Sequence, residues 1–177
     1  YHAKKVIEKQ NLPENVLSLL NLKNLKDIKK DSVIALLDDF SGTGGSIKKF
    51  YEKNVKGTVD GKPIKVFALT VAYMEKAEKT LQADCGIKMY GTLQKPAFVR
   101  RGSVFGYEKS MIQVRDFCFK KGEMLLPNWK NEDLKPLGYK NGQALVCFEH
   151  TTPNNTLPIL WYEMEIPGTD KKWNAIF

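Results

Sequence analysis

Histidine is almost absent from this chain: only His2 and His150 occur in 177 residues. The three cysteines, Cys85, Cys118 and Cys147, are odd in number and widely spaced. That spacing offers no disulfide framework, and with so few histidines a structural zinc site is not expected either. A reducing, cytoplasmic setting follows as the expectation. No apolar stretch is long enough to span a bilayer, so no membrane association is expected. No secretory signal is visible. The chain opens on Tyr1-His2 rather than Met, so it reads as a piece of a larger protein. Its first 30 residues hold no glycine. Acidic residues are outnumbered, 20 against 28 Lys and Arg, for a formal net charge of +8. Such a field suits a phosphorylated ligand or nucleic acid. No zinc-finger or RNP signature accompanies it, which leaves nucleic-acid contact a secondary reading.

What the chain does have is concentrated in residues 33–46, VIALLDDFSGTGGS. Val33 to Leu37 is a short apolar, partly β-branched run, the composition of a buried parallel strand. Asp38 and Asp39 stand at its C-terminal end. Ser41, Gly42, Thr43, Gly44, Gly45 and Ser46 form a loop of small residues, and a helix is predicted over 45–54. Strand, small-residue loop and helix together aim backbone N–H groups and a helix N-terminus at an anion. Thr43 and Ser46 add hydroxyl donors. The two carboxylates cannot bind phosphate themselves; they suit ribose hydroxyls or a Mg²⁺ that bridges to phosphate oxygens. A ligand with a sugar diol and a phosphate satisfies both halves. The plain alternative is an acidic turn between a core strand and a helix.

Leu36-Leu37-Asp38-Asp39-Phe40-Ser41-Gly42-Thr43-Gly44-Gly45-Ser46 resembles the phosphoribosyl pyrophosphate (PRPP) loop of the type I phosphoribosyltransferases. The resemblance implies that Asp38 and Asp39 hold ribose and Mg²⁺, and that residues 41–46 hold phosphate. One departure stands at Gly42. Purine-salvage members place there an acid that assists the incoming base, and Gly42 cannot, which argues against a hypoxanthine-guanine type enzyme. In the resembled family a strand and a pyrophosphate-binding loop also precede this motif. The glycine-free residues 1–30 read as helices instead, over 3–10 and 13–30, with Val16, Leu17, Leu19, Leu20, Leu22 and Leu25 at near-helical spacing. A truncated or remodelled N-terminus is the expectation.

After the helix, Asp60-Gly61-Lys62-Pro63 signals a turn. A second strand is predicted over Ile64–Tyr73, a helix over Glu75–Ala83 stopped at Gly86, and a third strand over Ile87–Tyr90. This is part of an α/β, mostly parallel, doubly wound sheet, in which ligands bind beyond the C-terminal strand ends. The pattern changes near residue 96. One helix is predicted over Gly106–Phe119, with Met111, Val114 and Cys118 on its apolar face and Phe117 beside them. Gly122 is a plausible terminator, and 123–141 read as a loop with a helical turn at Asn131–Leu134. Ala144–Phe148 reads as a strand, followed by the polar stretch Glu149-His150-Thr151-Thr152-Pro153-Asn154-Asn155. Thr152, Asn154 and Asn155 either build a turn or form one wall of the pocket. His150, beside Glu149, is either structural or a general acid–base group and so a catalytic candidate with Asp38 and Asp39. The tryptophans are read as packing residues.

The wording Leu137-Gly138-Tyr139, Gln143-Ala144-Leu145-Val146 and Thr152 to Trp161 looks like the phosphoribosyltransferase-like domains of bacterial conflict (anti-phage) systems, including retron-associated ones. The chain is then expected to be one phosphoribosyltransferase-like domain over 1–177, with a PRPP-loop βαβ part over 31–92 and an added C-terminal α+β part over 96–177. The function expected is binding of PRPP or a nucleotide with Mg²⁺, with making or breaking of the C1′–N bond if the protein is an enzyme. The alternative is a nucleotide sensor, or a component of a defence complex with a protein or nucleic-acid partner.

Overall fold

A computed structural model describes residues 28, 31–99, 103–126, 132–166 and 168–177. The predicted helix over 3–10, all but Ile28 of that over 13–30, and Arg100, Arg101 and Trp129 lie outside the described residues. The chain divides into two compact units, one ending at Thr92 and the other comprising Tyr73–Lys76 and Leu93–Phe177.

The first unit follows the predicted order. Strand β1 spans Val33–Ser41, helix α1 Gly45–Asn54, the short helix α2 Lys56–Val59, strand β2 Lys65–Met74, helix α3 Glu75–Cys85 and strand β3 Lys88–Gln94. The strands form one three-stranded parallel sheet in the order β1-β2-β3. Lys65 N–H donates to the Ser32 carbonyl at 3.3 Å, which sets the start of β2 beside the start of β1. Alternate residues of a strand face opposite sides, and here one side is buried: Ile34, Leu36 and Phe40 of β1, Ala68, Thr70 and Ala72 of β2, and Met89 of β3. Ile47 of α1 and Ala77 and Leu81 of α3 are buried as well. The two helices touch: Lys48 Nζ of α1 meets Asp84 Oδ2 of α3 at 2.6 Å. Both crossovers therefore lie on one face of the sheet.

In the second unit, helix α4 spans Glu108–Leu125 and buries Met111, Cys118, Gly122 and Leu125. The helix predicted over 106–119 thus runs on past Gly122, which does not end it. Gly122 is the point where the chain crosses closely: a Cβ there would collide with the Pro136 backbone. Phe117 is half exposed, and Phe119 packs on the core instead. That core gathers Ala97, Cys118, Leu125, Leu137, Leu157 and Ile159. The remaining elements are short: β4 (Leu134–Lys135) and β5 (Gly138–Tyr139), paired antiparallel, helix α5 (Pro158–Trp161), and β6 (Met164–Glu165) paired antiparallel with β7 (Lys172–Trp173). Leu134 is therefore in a strand, not a helical turn.

The predicted strand Ala144–Phe148 does not form. Ala144 makes one isolated parallel bridge with Thr156, and Phe148 one antiparallel bridge with Thr151. The reason is a competing hydrogen bond. Ala144 N–H donates to Asn155 and its carbonyl accepts from Leu157 N–H. The next ladder carbonyl, of Val146, is taken by the Thr156 hydroxyl at 2.6 Å. A side chain has replaced the backbone donor that would continue the ladder. Thr156 is fully buried, so Thr156→Val leaves the Val146 carbonyl short of its donor. A loss of about 1–2 kcal/mol is expected, measured by urea denaturation, with Thr156→Ser retaining the hydrogen bond and a larger share of the stability.

Candidate functional site

The site grows out of the last residues of β1. Asp38 and Asp39 lie within the strand, and both are half-buried. Each side chain folds onto the backbone just after it. Asp39 N–H donates to Asp38 Oδ1 at 3.1 Å, and Phe40 N–H donates to Asp39 Oδ1 at 2.7 Å. Burial pushes the Asp38 carboxyl above its ordinary value; the neighbouring Asp39 charge adds to the rise, and the Asp39 amide opposes it. Two adjoining, half-buried carboxylates favour a positive charge or hydroxyl donors beside them. A divalent cation that keeps several waters and ligand oxygens needs no more protein than this pair. The donor chemistry of Asp38 and Asp39 therefore fits Mg²⁺. Among the described residues there is no group of three or more His, Cys, Asp or Glu side chains arranged to hold a metal.

The loop turns sharply after Ser41, which is buried as the end of the strand. Gly42, Thr43 and Gly45 are half-buried, Gly44 is buried and Ser46 is exposed. Gly44 is the N-cap of α1, with φ of 78° and no side-chain cap. The first turn of α1 carries no acidic residue. Thr43 Oγ1 stands 3.5 Å from Gly45 N, at the limit of a hydrogen bond. A helix begins with backbone N–H groups that lack intrahelical partners and with the positive end of its dipole. The loop residues that lead into that end, Ser41 to Ser46, are all small.

What holds the loop in place was not visible from the motif. A Cβ on Gly44 would sit 3.0 Å from the Ala77 carbonyl oxygen and 3.2 Å from Leu81 Cγ, both on α3. The loop thus rests directly on a neighbouring helix. The Lys48–Asp84 ion pair ties the same two helices one turn further on. The only hint in the sequence is that small Ala77 shares the buried face of α3 with Leu81.

The other predicted residues belong to the second unit. His150 is exposed and stacks on Phe148, with ring centroids 6.0 Å apart and planes inclined by 21°. Thr152 Oγ1 lies 3.2 Å from Cys147 Sγ. Asn154 is exposed, and its carbonyl accepts from Tyr139 N–H at 2.8 Å. Asn155 is buried; its Nδ2 donates to the Tyr139 carbonyl at 3.3 Å and its own carbonyl accepts from Ala144 N–H. Gly138, at φ of 94°, has no space for a Cβ beside the Asn155 backbone. Asn155 therefore serves the turn at 138–144 directly, the turn-building role that its residue type suggests.

Comparison with known proteins gives one family: the PRTase-CE family model matches residues 1–177. No curated protein matches, and no solved structure matches.

Two outcomes test this geometry. Gly44→Ala forces a side chain into a left-handed backbone, which alone costs about 1–2 kcal/mol, and pushes it against Ala77; chemical denaturation is expected to show at least that loss. Asp38→Asn tests the raised carboxyl. Its folded pKa lies above 3.8, so ionisation weakens the folded state as pH rises through that pKa, and the penalty disappears as pH falls. Asp38→Asn should melt higher than the parent protein at pH 7, with the difference shrinking to nothing below pH 3.8. A lower melting temperature at pH 7 would contradict the assignment.

Proposed function

The chain belongs to the PRTase-CE family, a phosphoribosyltransferase-like family, and on that premise we propose that it binds a ribose-5-phosphate-containing ligand, PRPP or a nucleotide, at the β1–α1 junction. One observation carries the reading: within nine residues, an adjoining half-buried carboxylate pair is followed by a small-residue loop that opens a helix at left-handed Gly44. Backbone N–H groups of residues 43–46, with the Thr43 and Ser46 hydroxyls, receive the 5′-phosphate. Asp38 and Asp39 accept from the ribose 2′- and 3′-hydroxyls, directly or through Mg²⁺. When bound, that cation would be held by Asp38 and Asp39 and would supply charge neutralisation.

Reaction, on this reading, makes or breaks the bond between C1′ and a base nitrogen or a pyrophosphate oxygen. Positive charge develops on the ring oxygen and C1′ in the transition state. The paired carboxylates beneath the ribose offset it. Gly42 offers no side chain to activate a base, so the group that does so must come from elsewhere. The resemblance of residues 137–161 to anti-phage domains supports a place in a defence system. A second reading, a sensor that binds the same ligand without turnover, is favoured by that missing group at Gly42 and by the exposed stacking of His150 on Phe148; turnover of PRPP or a nucleotide separates the two. The doubly wound sheet expected from the sequence also belongs to this reading. Among the described residues no helix is long and apolar enough to cross a membrane.

Calorimetry with PRPP or a nucleoside monophosphate, with and without Mg²⁺, is the direct test. Binding in Mg²⁺ is expected, and Asp38→Asn with Asp39→Asn should weaken it at least about tenfold, equal to ~1.4 kcal/mol. Unchanged affinity in the double variant would overturn the site.

A further inference from the structure

The starts of the three parallel strands line a cleft that the function above does not use. β1, β2 and β3 begin at Val33, Lys65 and Lys88, and all three residues line it. Its volume is about 560 Å³, within the roughly 300–1,000 Å³ of small-molecule sites. The acid pair stands towards the other end of β1: Asp38 lies five positions on from Val33, about 17 Å along a strand.

Two kinds of group meet in this cleft. One is cationic. Lys62, Lys65 and Lys88 line it, and among the described residues Asp60 is the one acid that does so. Within those residues none of the three ammonium groups enters an ion pair. Glu52 and Asp84, whose fields reach Cys85 of the same cleft, are both paired with Lys48. Like charges gathered on a concave wall raise the local concentration of an anion. The other kind is aromatic. Tyr90 stands edge-on to Phe67, with ring centroids 5.4 Å apart and planes at 86°, and both line the cleft. Lys88 Nζ lies 5.2 Å from the Tyr90 centroid, which sets an ammonium beside a ring. Tyr51 and Cys85 add a hydroxyl and a thiol. Burial pushes both above their ordinary pKa values, so both stay protonated and can donate hydrogen bonds.

We propose that this cleft is a second binding site, for a small aromatic anion of the mononucleotide class. The phosphate lies among Lys62, Lys65 and Lys88, and the ring packs against Tyr90 and Phe67. An apolar ligand would leave the ammonium groups unused, and a bare anion would leave the rings unused. The distance along β1 keeps this ligand away from any reaction at Asp38 and Asp39. The site stands on the cleft alone and does not depend on the reading of the acid pair.

Cys85 reports occupancy directly, since it lines the cleft and is partly exposed, while exposed Cys147 belongs to the other unit. In the full chain, with EDTA present to remove divalent cations, alkylation by uncharged iodoacetamide is followed at each cysteine by peptide mass spectrometry. Adenosine monophosphate at about ten times its dissociation constant is expected to slow Cys85 about tenfold and to leave Cys147 unchanged. Inorganic phosphate at the same concentration should protect far less, because it meets only the cationic wall. Lys65→Ala with Lys88→Ala should abolish the protection, and Asp38→Asn with Asp39→Asn should keep it. A Cys85 rate that adenosine monophosphate does not change overturns the proposal. So does protection that survives the loss of both lysines or vanishes with the acid pair. Equal protection by inorganic phosphate would overturn the mononucleotide assignment.

Discussion

Gly44 has two demands on it at once, and the rest of the first unit is arranged around them. Its backbone is left-handed, with φ of 78°, because the chain must turn from the end of β1 into α1 without a longer loop. Its missing side chain lets the loop rest on the Ala77 carbonyl of α3. A single residue therefore sets the start of α1, the separation of α1 from α3, and the height of the loop above the sheet. The Lys48–Asp84 pair lies further along the same contact, but both side chains are partly in water, where such pairs contribute little. Close backbone packing holds this junction, and the ion pair only accompanies it.

The acids beside that loop show the opposite economy. Asp38 is placed where burial and a like charge both penalise its ionised form. A strand interior would be better served by another Leu. Each carboxylate accepts a hydrogen bond from the next residue's amide. An asparagine would accept those bonds as well. The charge is therefore the property by which Asp38 differs from an asparagine at the same place, and perturbed carboxylates of this kind are what the proposed ligand site uses.

Much of the first unit was legible in the sequence, and for a plain reason. Val33–Leu37 and Ile64–Tyr73 are apolar runs bounded by turn residues, and 45–54 and 75–83 follow them at the spacing of a βαβ unit. Each local preference agreed with the parallel sheet, so β1, α1, β2, α3 and β3 emerged within a few residues of their predicted limits. The acid pair and the loop were legible too, because their chemistry is contiguous. Ala77 was not, because its role depends on a glycine 33 positions away. The second unit resisted for a related reason. Ala144–Phe148 has strand composition, but Thr156, remote in local propensity terms, captures the Val146 carbonyl. Gly122 looked like a helix end, yet it stays helical because the Pro136 segment needs its empty space. Tertiary demands outweighed local ones at both places.

The charge of the molecule acquires a different meaning once the loop is described. Lysines are frequent on α1 and α2, at 48, 49, 53 and 56, and the sequence alone suggests that they attract phosphate. Lys48 is already engaged with Asp84 and lies 4.0 Å from Glu52. Lys53 is in the last turn of α1, where a cation complements the negative end of the dipole and lies about 12 Å along the axis from the first turn. At the start of α1 the chain supplies glycines and hydroxyls instead. Recognition there would depend on oriented N–H groups, which fix geometry and are weakly screened by salt. Lysines act at longer range: for an anionic ligand such as the one proposed they would raise the encounter rate, a contribution that falls as ionic strength rises.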